Sequence, residues 1–162
     1  MSYEIPKNVK DSIIEHAQVC YQCGVCMGGC PVARVNDKFH PRRLMSELVR
    51  GDWSDILDGE TIWLCAQCYV CSETCPQGVG IADLIMDLRN LAISKGVTPP
   101  ESYVKNVKQM VETGRLASVT SRVRRLREKL ELSDLKPAPV EEVRKLINDT
   151  KFERIIVDME EG

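Results

Sequence analysis

The chain has 162 residues, a formal net charge of −2 and 43% hydrophobic residues, which fits one compact globular domain with room for a small appendage. The slightly negative charge argues against a nucleic-acid-binding surface, and no apolar run approaches the roughly 20 residues that cross a bilayer. The opening Met-Ser-Tyr-Glu-Ile-Pro has no feature of a secretory signal. We therefore expect a reducing, cytoplasmic compartment in which cysteines stay available as thiolates.

A first helix is predicted to begin after Pro6 and to end near Gln18. Val9, Ile13 and Ala17 recur at four-residue intervals, which places them on one helical face. The helix ends where a cysteine-rich run starts.

All eight cysteines fall into two copies of one pattern, Cys-x-x-Cys-x-x-Cys-x-x-x-Cys-Pro, and Gln22 and Val25 of the first copy recur as Gln67 and Val70 of the second. This internal repeat is the signature of a protein that holds two 4Fe-4S clusters, because two-residue gaps let one tightly wound loop place three thiolates around a cubane. The candidate ligands are Cys20, Cys23, Cys26, Cys30, Cys65, Cys68, Cys71 and Cys75.

The spacing is similar to that of two-cluster ferredoxins, in which the fourth cysteine of each run serves the other cluster. Such crossing ties the two halves of the chain together and would bring the clusters close enough for direct electron exchange. The ligand sets that this resemblance implies are Cys20, Cys23, Cys26 with Cys75, and Cys65, Cys68, Cys71 with Cys30.

Zinc is the main rival to iron-sulfur clusters at these cysteines. Structural zinc sites use paired Cys-x-x-Cys units separated by a longer loop, which accounts neither for the third cysteine of each run nor for the proline after the fourth. A disulfide framework is disfavoured by the expected reducing compartment. Because the cysteines already complete the ligand sets, His16 is interpreted as a surface or packing residue and His40 as a helix-entry residue.

Between the two runs, a helix is predicted from Pro41 to a stop at Gly51. An Asp-Gly turn at 58–59 follows. Trp63, just before the second run, is interpreted either as a shield for a cluster or as a simple core residue. The apolar stripe of the helix consists of Leu44, Met45, Leu48 and Val49.

After the second run comes the longest apolar stripe of the chain, on a helix that ends at Gly96 and that we expect to pack under the clusters. Pro99-Pro100 separates it from another helix, which carries Val104, Val107 and Val111 and ends before Gly114. The long stripe consists of Ile81, Leu84, Ile85, Leu88, Leu91 and Ala92.

Residues 115–162 are predicted to form a helical C-terminal extension that docks a partner, separate from a cluster-binding domain at 1–114. Val119, Val123, Leu126 and Leu130 repeat at helical spacing. Basic residues on the same helix are interpreted as a solvated face, with docking to an acidic partner surface as the alternative. They are Arg122, Arg124, Arg125, Arg127 and Lys129.

The last part of the extension begins with a stiff linker, Lys136–Pro139. A short helix with Val143, Leu146 and Ile147 on one face is predicted after it. Ile155–Val157 is a small β-prone segment. We expect the tail from Pro137 to Gly162 to bind a partner, so that deletion of Lys151–Gly162 should weaken complex formation and leave the iron content intact.

Small bacterial ferredoxins build a βαβ-type scaffold around closely spaced runs, whereas 34 residues with a helix of their own separate Cys30 from Cys65. The predicted fold class is therefore all-α. The chain resembles the α-helical ferredoxin family, and within it the small iron-sulfur C subunit of heterodisulfide reductase, over roughly residues 9–114. The resemblance rests on the two cysteine runs with their prolines, on His40-Pro41-Arg42-Arg43 and on the helix after Pro76.

This resemblance implies a non-catalytic relay that passes single electrons through two 4Fe-4S clusters. The implied partners are a flavin- and cluster-bearing electron-input subunit and a catalytic subunit that reduces a disulfide, which in methanogens joins coenzymes M and B. Because glycolate and glycerol-3-phosphate dehydrogenases use similar helical modules, the relay subunit of a flavin-dependent dehydrogenase is the alternative. A zinc-bound interaction module is a third possibility. The chain contains neither an adjacent Cys-Cys pair nor a Gly-rich nucleotide-binding motif.

Overall fold

The computed structural model describes residues 5–149, and within that range the chain forms helices and no strand. This confirms the all-α fold class. The helices belong to two compact units, one that extends to Val97 and one that begins at Thr98. The division into domains at 1–114 and 115–162 stays a prediction. In chain order the helices are α1 (Lys7–Gln18), α2 (Val25–Gly29), α3 (Pro41–Arg50), α4 (Trp53–Asp58), α5 (Thr61–Leu64), α6 (Val70–Glu73), α7 (Ile81–Ser94), α8 (Glu101–Thr113), α9 (Ser121–Lys129) and α10 (Val140–Asp149).

Helix α3 begins and ends where the sequence predicts. Pro41 occupies its first turn, and Gly51 closes it in the left-handed conformation with φ 89°, which glycine adopts without a Cβ clash. Leu44, Met45 and Leu48 are buried, but Val49 is 44% exposed. The apolar stripe is therefore narrower than predicted, because Val49 lies past the edge of the face that packs on α1.

Helix α7 forms the base of the first unit. All six residues of its predicted stripe are buried, and the helix packs on α4, α5 and α6. Helix α5 leads into the second cysteine run and α6 lies within it. Helix α7 therefore packs directly against the second run, as expected for the helix with the longest apolar stripe.

Two short helices, α4 and α5, have no counterpart among the elements that the sequence predicts. They contain six and four residues, too few turns for a helical period to be visible in the sequence. Tertiary contacts hold them, because Trp53, Ile56 and Leu57 of α4 and Ile62 and Trp63 of α5 are buried. They carry the chain from the end of α3 to Cys65.

The internal repeat is also visible in the packing. Each cysteine run contains a short helix, α2 in the first and α6 in the second, and these two pack against each other. A Cβ placed on Gly29 would lie only 2.8 Å from Cγ1 of Val70. Glycine at this position therefore allows the two runs to approach closely.

The second unit contains α8, α9 and α10, and α8 packs against α10. Ile147 of α10 is buried, whereas α9 has no buried residue. Val123 and Leu126 of α9 are 42% and 55% exposed, and Leu130, which directly follows the helix, is 59% exposed. The predicted β-prone segment Ile155–Val157 lies outside the described residues. None of the helices between residues 5 and 149 has the length and apolar character that a membrane span requires.

Candidate metal centre

The two cysteine runs follow the same backbone course. Gln22 and Gln67 occupy equivalent positions, and both adopt the left-handed conformation, with φ 61° and 52°. Two residues later Gly24 and Tyr69 are also left-handed, with φ 84° and 63°. A short helix then starts in each run. The left-handed residues curl each loop so that successive cysteines face a common centre instead of alternating sides.

The second run brings its first three cysteines together with one cysteine of the first run. Cys65, Cys68, Cys71 and Cys30 line a single pocket, closed on one side by Phe39. Phe39 is only 2% exposed. Cys30 reaches this pocket because it directly follows α2, which packs on α6. This grouping coincides with one of the two crossed ligand sets that the resemblance implies.

Charge coupling links these four thiols. Burial is the first cause that raises the pKa of Cys71, and the charge of Cys65 is the second; Cys30 and Cys68 raise it further, while a hydrogen bond from Ser72 lowers it. A thiol whose neighbours are thiols resists ionisation, because each thiolate disfavours the next. Cations between the sulfurs reverse this repulsion, so the cluster of thiols fits a metal-containing group.

The first run shows the same behaviour around Cys26. Burial, followed by the charges of Cys20, Cys71 and Cys23, raises the pKa of Cys26 to about 11.

Cys75, the last cysteine of the second run, lies near Tyr21 of the first run. The pKa of the Tyr21 hydroxyl is raised by partial desolvation, then by a hydrogen bond to Cys23 and by the charges of Cys23, Cys75 and Cys20. One phenol therefore experiences two cysteines of the first run together with the last cysteine of the second.

Several N–H groups donate to the cysteine sulfurs. The side-chain amide of Gln22 lies 3.5 Å from Sγ of Cys20, and that of Gln67 lies 3.8 Å from Sγ of Cys65. The backbone N–H of Gln67 also donates to Cys65, and that of Ala33 donates to Cys30. The repeat of Gln22 as Gln67 is visible in the sequence, but their role as sulfur donors is not, because it depends on the left-handed backbone that turns each glutamine back over its own loop.

The histidines lie outside these groups. His16 is exposed, and its Nδ1 contacts the carbonyl oxygen of Ser12 on its own helix at 2.8 Å. His40 immediately precedes α3, the helix-entry position expected for it. Among the described residues, no three His, Cys, Asp or Glu side chains lie close enough to hold one metal ion. A cubane sets its four thiolates farther apart than a single ion does, because iron and sulfide lie between them.

The residues present fit a 4Fe-4S cluster. Four thiols meet in one pocket, amide groups donate to their sulfurs, and Phe39 and Ala82 provide apolar wall. Amide donors to sulfur and exclusion of water are the means by which proteins stabilise such clusters and set their potentials. None of the eight cysteines is in a disulfide.

The sequence is similar to those of known iron-sulfur proteins. Residues 16–79, which include both runs, match the family described as the 4Fe-4S dicluster domain, and this match supports 4Fe-4S clusters as the cofactor of the chain. The chain is 34% identical over 157 residues to the iron-sulfur C subunit of the CoB-CoM heterodisulfide reductase of Methanopyrus kandleri, covering 90% of this chain and 78% of that one. It is 31% identical over 165 residues to the C subunit of the ferredoxin:CoB-CoM heterodisulfide reductase of Methanosarcina mazei, covering 98% and 99%.

A third relative extends the comparison to another methanogen. An iron-sulfur C subunit, numbered 2, of the CoB-CoM heterodisulfide reductase of Methanocaldococcus jannaschii is 34% identical over 152 residues, with 90% of this chain and 80% of that one covered. Identity at this level extends over most of the chain, well beyond the cysteine runs. The chain therefore belongs to the family of iron-sulfur C subunits of heterodisulfide reductase.

Proposed function

We propose that the chain relays single electrons through two 4Fe-4S clusters, bound by the crossed ligand sets. The observation that carries the proposal is the pocket in which Cys30 of the first run joins Cys65, Cys68 and Cys71 of the second. The complementary set, Cys20, Cys23 and Cys26 with Cys75, is supported by Tyr21, whose hydroxyl lies near enough to Cys20, Cys23 and Cys75 for the charges of all three to raise its pKa.

The chain's own residues would hold the clusters, keep water away from them and set their reduction potentials. When bound, 4Fe-4S clusters supply reversible one-electron transfer at potentials that the protein sets. The thiolates anchor them, the close packing of α2 on α6 keeps the two sites adjacent, and the buried side chains of Phe39 and α7 keep water from the second site. The thiols that meet in the pocket are all taken up as cluster ligands in this arrangement, so the role that we propose for the chain is electron transfer rather than bond cleavage.

The partners follow from the family. A C subunit belongs to a multi-subunit complex, and the relatives' names specify the disulfide of coenzymes B and M as the substrate of theirs. We propose that this chain connects a flavin- and cluster-bearing electron-input subunit to a catalytic subunit that reduces such a disulfide, in the cytoplasm. The family match favours this function over the relay subunit of a flavin-dependent dehydrogenase.

A reconstituted complex tests the relay. The two partner subunits, combined with this chain, are expected to reduce the CoB-CoM disulfide with electrons from the input subunit, and the rate should fall to background when the chain is omitted or carries Cys71→Ala. Each partner's own half-reaction with an artificial donor or acceptor should continue. If the complex without the chain kept its full rate, the relay function would be wrong.

The C-terminal extension is the proposed docking region. Helix α9 exposes Val123 and Leu126, and Leu130 directly after it is exposed as well. Leu116 and Leu132, which flank the helix in sequence, are 59% and 50% exposed. A nine-residue helix is marginal in isolation, so apolar contact with a larger subunit would stabilise it. The basic residues beside the stripe suit a partner groove with an acidic rim. The tail beyond Lys151, for which docking is also expected, lies outside the described residues.

Replacing Leu126 and Leu130 by serine should weaken binding to the partner subunits at least tenfold. Burial of one leucine contributes about 1.5 to 3 kcal/mol, and about 1.4 kcal/mol is a factor of ten in affinity. Calorimetry or biolayer interferometry on the iron-containing chain measures the change. Val35→Ser is the matched control, since Val35 is 86% exposed but lies in the first unit. Unchanged affinity, or iron loss in the double variant, would contradict docking through α9.

The two glutamines provide a second prediction. Gln22→Leu is expected to lower the reduction potential of the cluster held by Cys20, and Gln67→Leu that of the cluster held by Cys65, because each change removes an amide donor to sulfur. Since the bonds are long, we expect a shift on the order of 10 to 50 mV, well within the range over which proteins tune these clusters. Redox titration followed by electron paramagnetic resonance (EPR) measures it, with Gln18→Leu as the control outside both runs. Equal potentials in all variants would exclude the donor role.

A further inference from the structure

Helix α7 carries a buried charge beside the second cysteine run. Arg89 is only 6% exposed and is the one charged side chain that is buried within residues 5–149. An arginine guanidinium keeps its positive charge in proteins. The buried face of α7 therefore carries a permanent positive charge, at the edge of its apolar stripe.

Arg89 makes specific contacts with the chain that leads into the second run. Its Nε donates to the carbonyl of Ile62 at 2.9 Å, and its Nη2 donates to the carbonyl of Cys65 at 2.7 Å and to that of Trp63 at 3.3 Å. The guanidinium carbon also lies 5.6 Å from the centre of the Trp63 ring. The guanidinium thus stands directly behind Cys65, one of the proposed ligands.

Part of this arrangement is structural. The carbonyls belong to the end of α5 and to Cys65, which follows it, and a cation at a helix C-terminus satisfies carbonyls that lack a partner within the helix. A four-residue helix has little dipole to compensate, however, and a neutral donor would satisfy the same carbonyls. What a neutral donor would lack is the positive charge, which stabilises any negative charge that is added nearby.

Within residues 5–149, the first run has no equivalent buried cation beside it. Counted from the last cysteine of each run, the position of Arg89 corresponds to Leu44 on α3, which is 1% exposed. Arg42 does lie near the first run, since a Cβ on Gly24 would be 3.9 Å from its Cδ. Arg42 is exposed, so water and salt screen its charge far more than that of Arg89.

We propose that Arg89 is a positioning residue that raises the reduction potential of the second-run cluster above that of the first. Reduction adds one electron, and therefore one negative charge, to a cluster; a buried positive charge beside Cys65 stabilises that state, with no proton required. Electrons then pass from the first-run cluster to the second, which sets the direction of the relay. The inference rests on the proposed two-cluster function and deepens it.

The test is an EPR-monitored redox titration of the full chain carrying Arg89→Gln or Arg89→Lys. Glutamine can still donate to a carbonyl but has no charge. Lysine keeps the positive charge but lacks the planar guanidinium that donates to several carbonyls at once. In Arg89→Gln, at the potential that half-reduces the wild-type cluster, the ratio of reduced to oxidised second-run cluster should fall at least tenfold, which is a shift of about 59 mV for one electron. Arg89→Lys should retain most of the wild-type value, and the exposed Arg50→Gln should change nothing.

Two further readouts separate the charge from a purely structural role. The shift in Arg89→Gln should appear in a Cys26→Ala background, which keeps the second site, and not in a Cys71→Ala background, which keeps the first. It should also persist between about 0.05 and 1 M salt, because a buried charge is poorly screened.

Three results would overturn the proposal: both midpoints moving together, lysine behaving like glutamine, or loss of iron from both variants, which would leave Arg89 only a structural role. An iron-free wild-type chain would instead refute the proposed function itself.

Discussion

Replacing Cys30 and Cys71 together will cost the chain one cluster, whereas replacing Cys30 and Cys26 together will cost it both. In the crossed arrangement Cys30 and Cys71 serve the same site, so the second substitution removes nothing more. Cys26 serves the other site, so its loss adds to that of Cys30. Iron analysis on anaerobically purified double alanine variants should give about four irons per chain in the first case and about none in the second.

The reverse pattern would contradict the crossed ligand sets. If each run bound its own cluster through all four of its cysteines, the Cys26 and Cys30 variant would keep about four irons, and the Cys30 and Cys71 variant would keep none. Cys75→Ala with Cys26→Ala is the symmetric control and should behave like the first pair, with one cluster retained. The four thiols that meet in the second pocket favour the crossed result.

Leu88→Ala is expected to lower the free energy of unfolding by about 2 to 5 kcal/mol, the usual cost of truncating a fully buried leucine. Leu88 is 0% exposed on α7, the helix that packs on α4, α5 and α6. A cavity there loosens the base under the second run, so this variant should also release iron faster when it is mixed with a chelator.

Met86→Ala is the matched control for that prediction. Met86 lies on the same helix but is 42% exposed, so its truncation should change stability by less than about 1 kcal/mol. Anaerobic urea unfolding, followed by far-UV circular dichroism, measures both variants. Equal destabilisation at the two positions would mean that α7 does not form the base of the first unit.

The longer helices can be predicted because their signals are local. Pro41 and Gly51 mark the ends of α3, and a six-residue stripe marks α7, so the period and the end signals suffice. Helices α4 and α5 cannot be predicted in this way, since their few residues become helical only when Trp53 and Ile62 are buried against the rest of the unit.

The candidate site is partly predictable in the same way. The spacing of the cysteines predicts the metal group by itself, whereas the meeting of Cys30 with the second run depends on the packing of α2 on α6. The burial of Arg89 leaves no signal in the sequence, because an arginine next to Leu88 is typical of the polar edge of an amphipathic helix. The spacing of the apolar residues around α9 predicts a helix, and only the structure reveals that Leu126 and Leu130 are exposed.

The most direct test of the relay is the iron and acid-labile sulfide content of the anaerobically purified chain, together with its EPR spectrum after dithionite reduction. The two-cluster arrangement predicts about eight irons and eight sulfides per chain and signals from two interacting reduced clusters. Zinc in place of iron, or a single isolated cluster signal with about four irons, would contradict it.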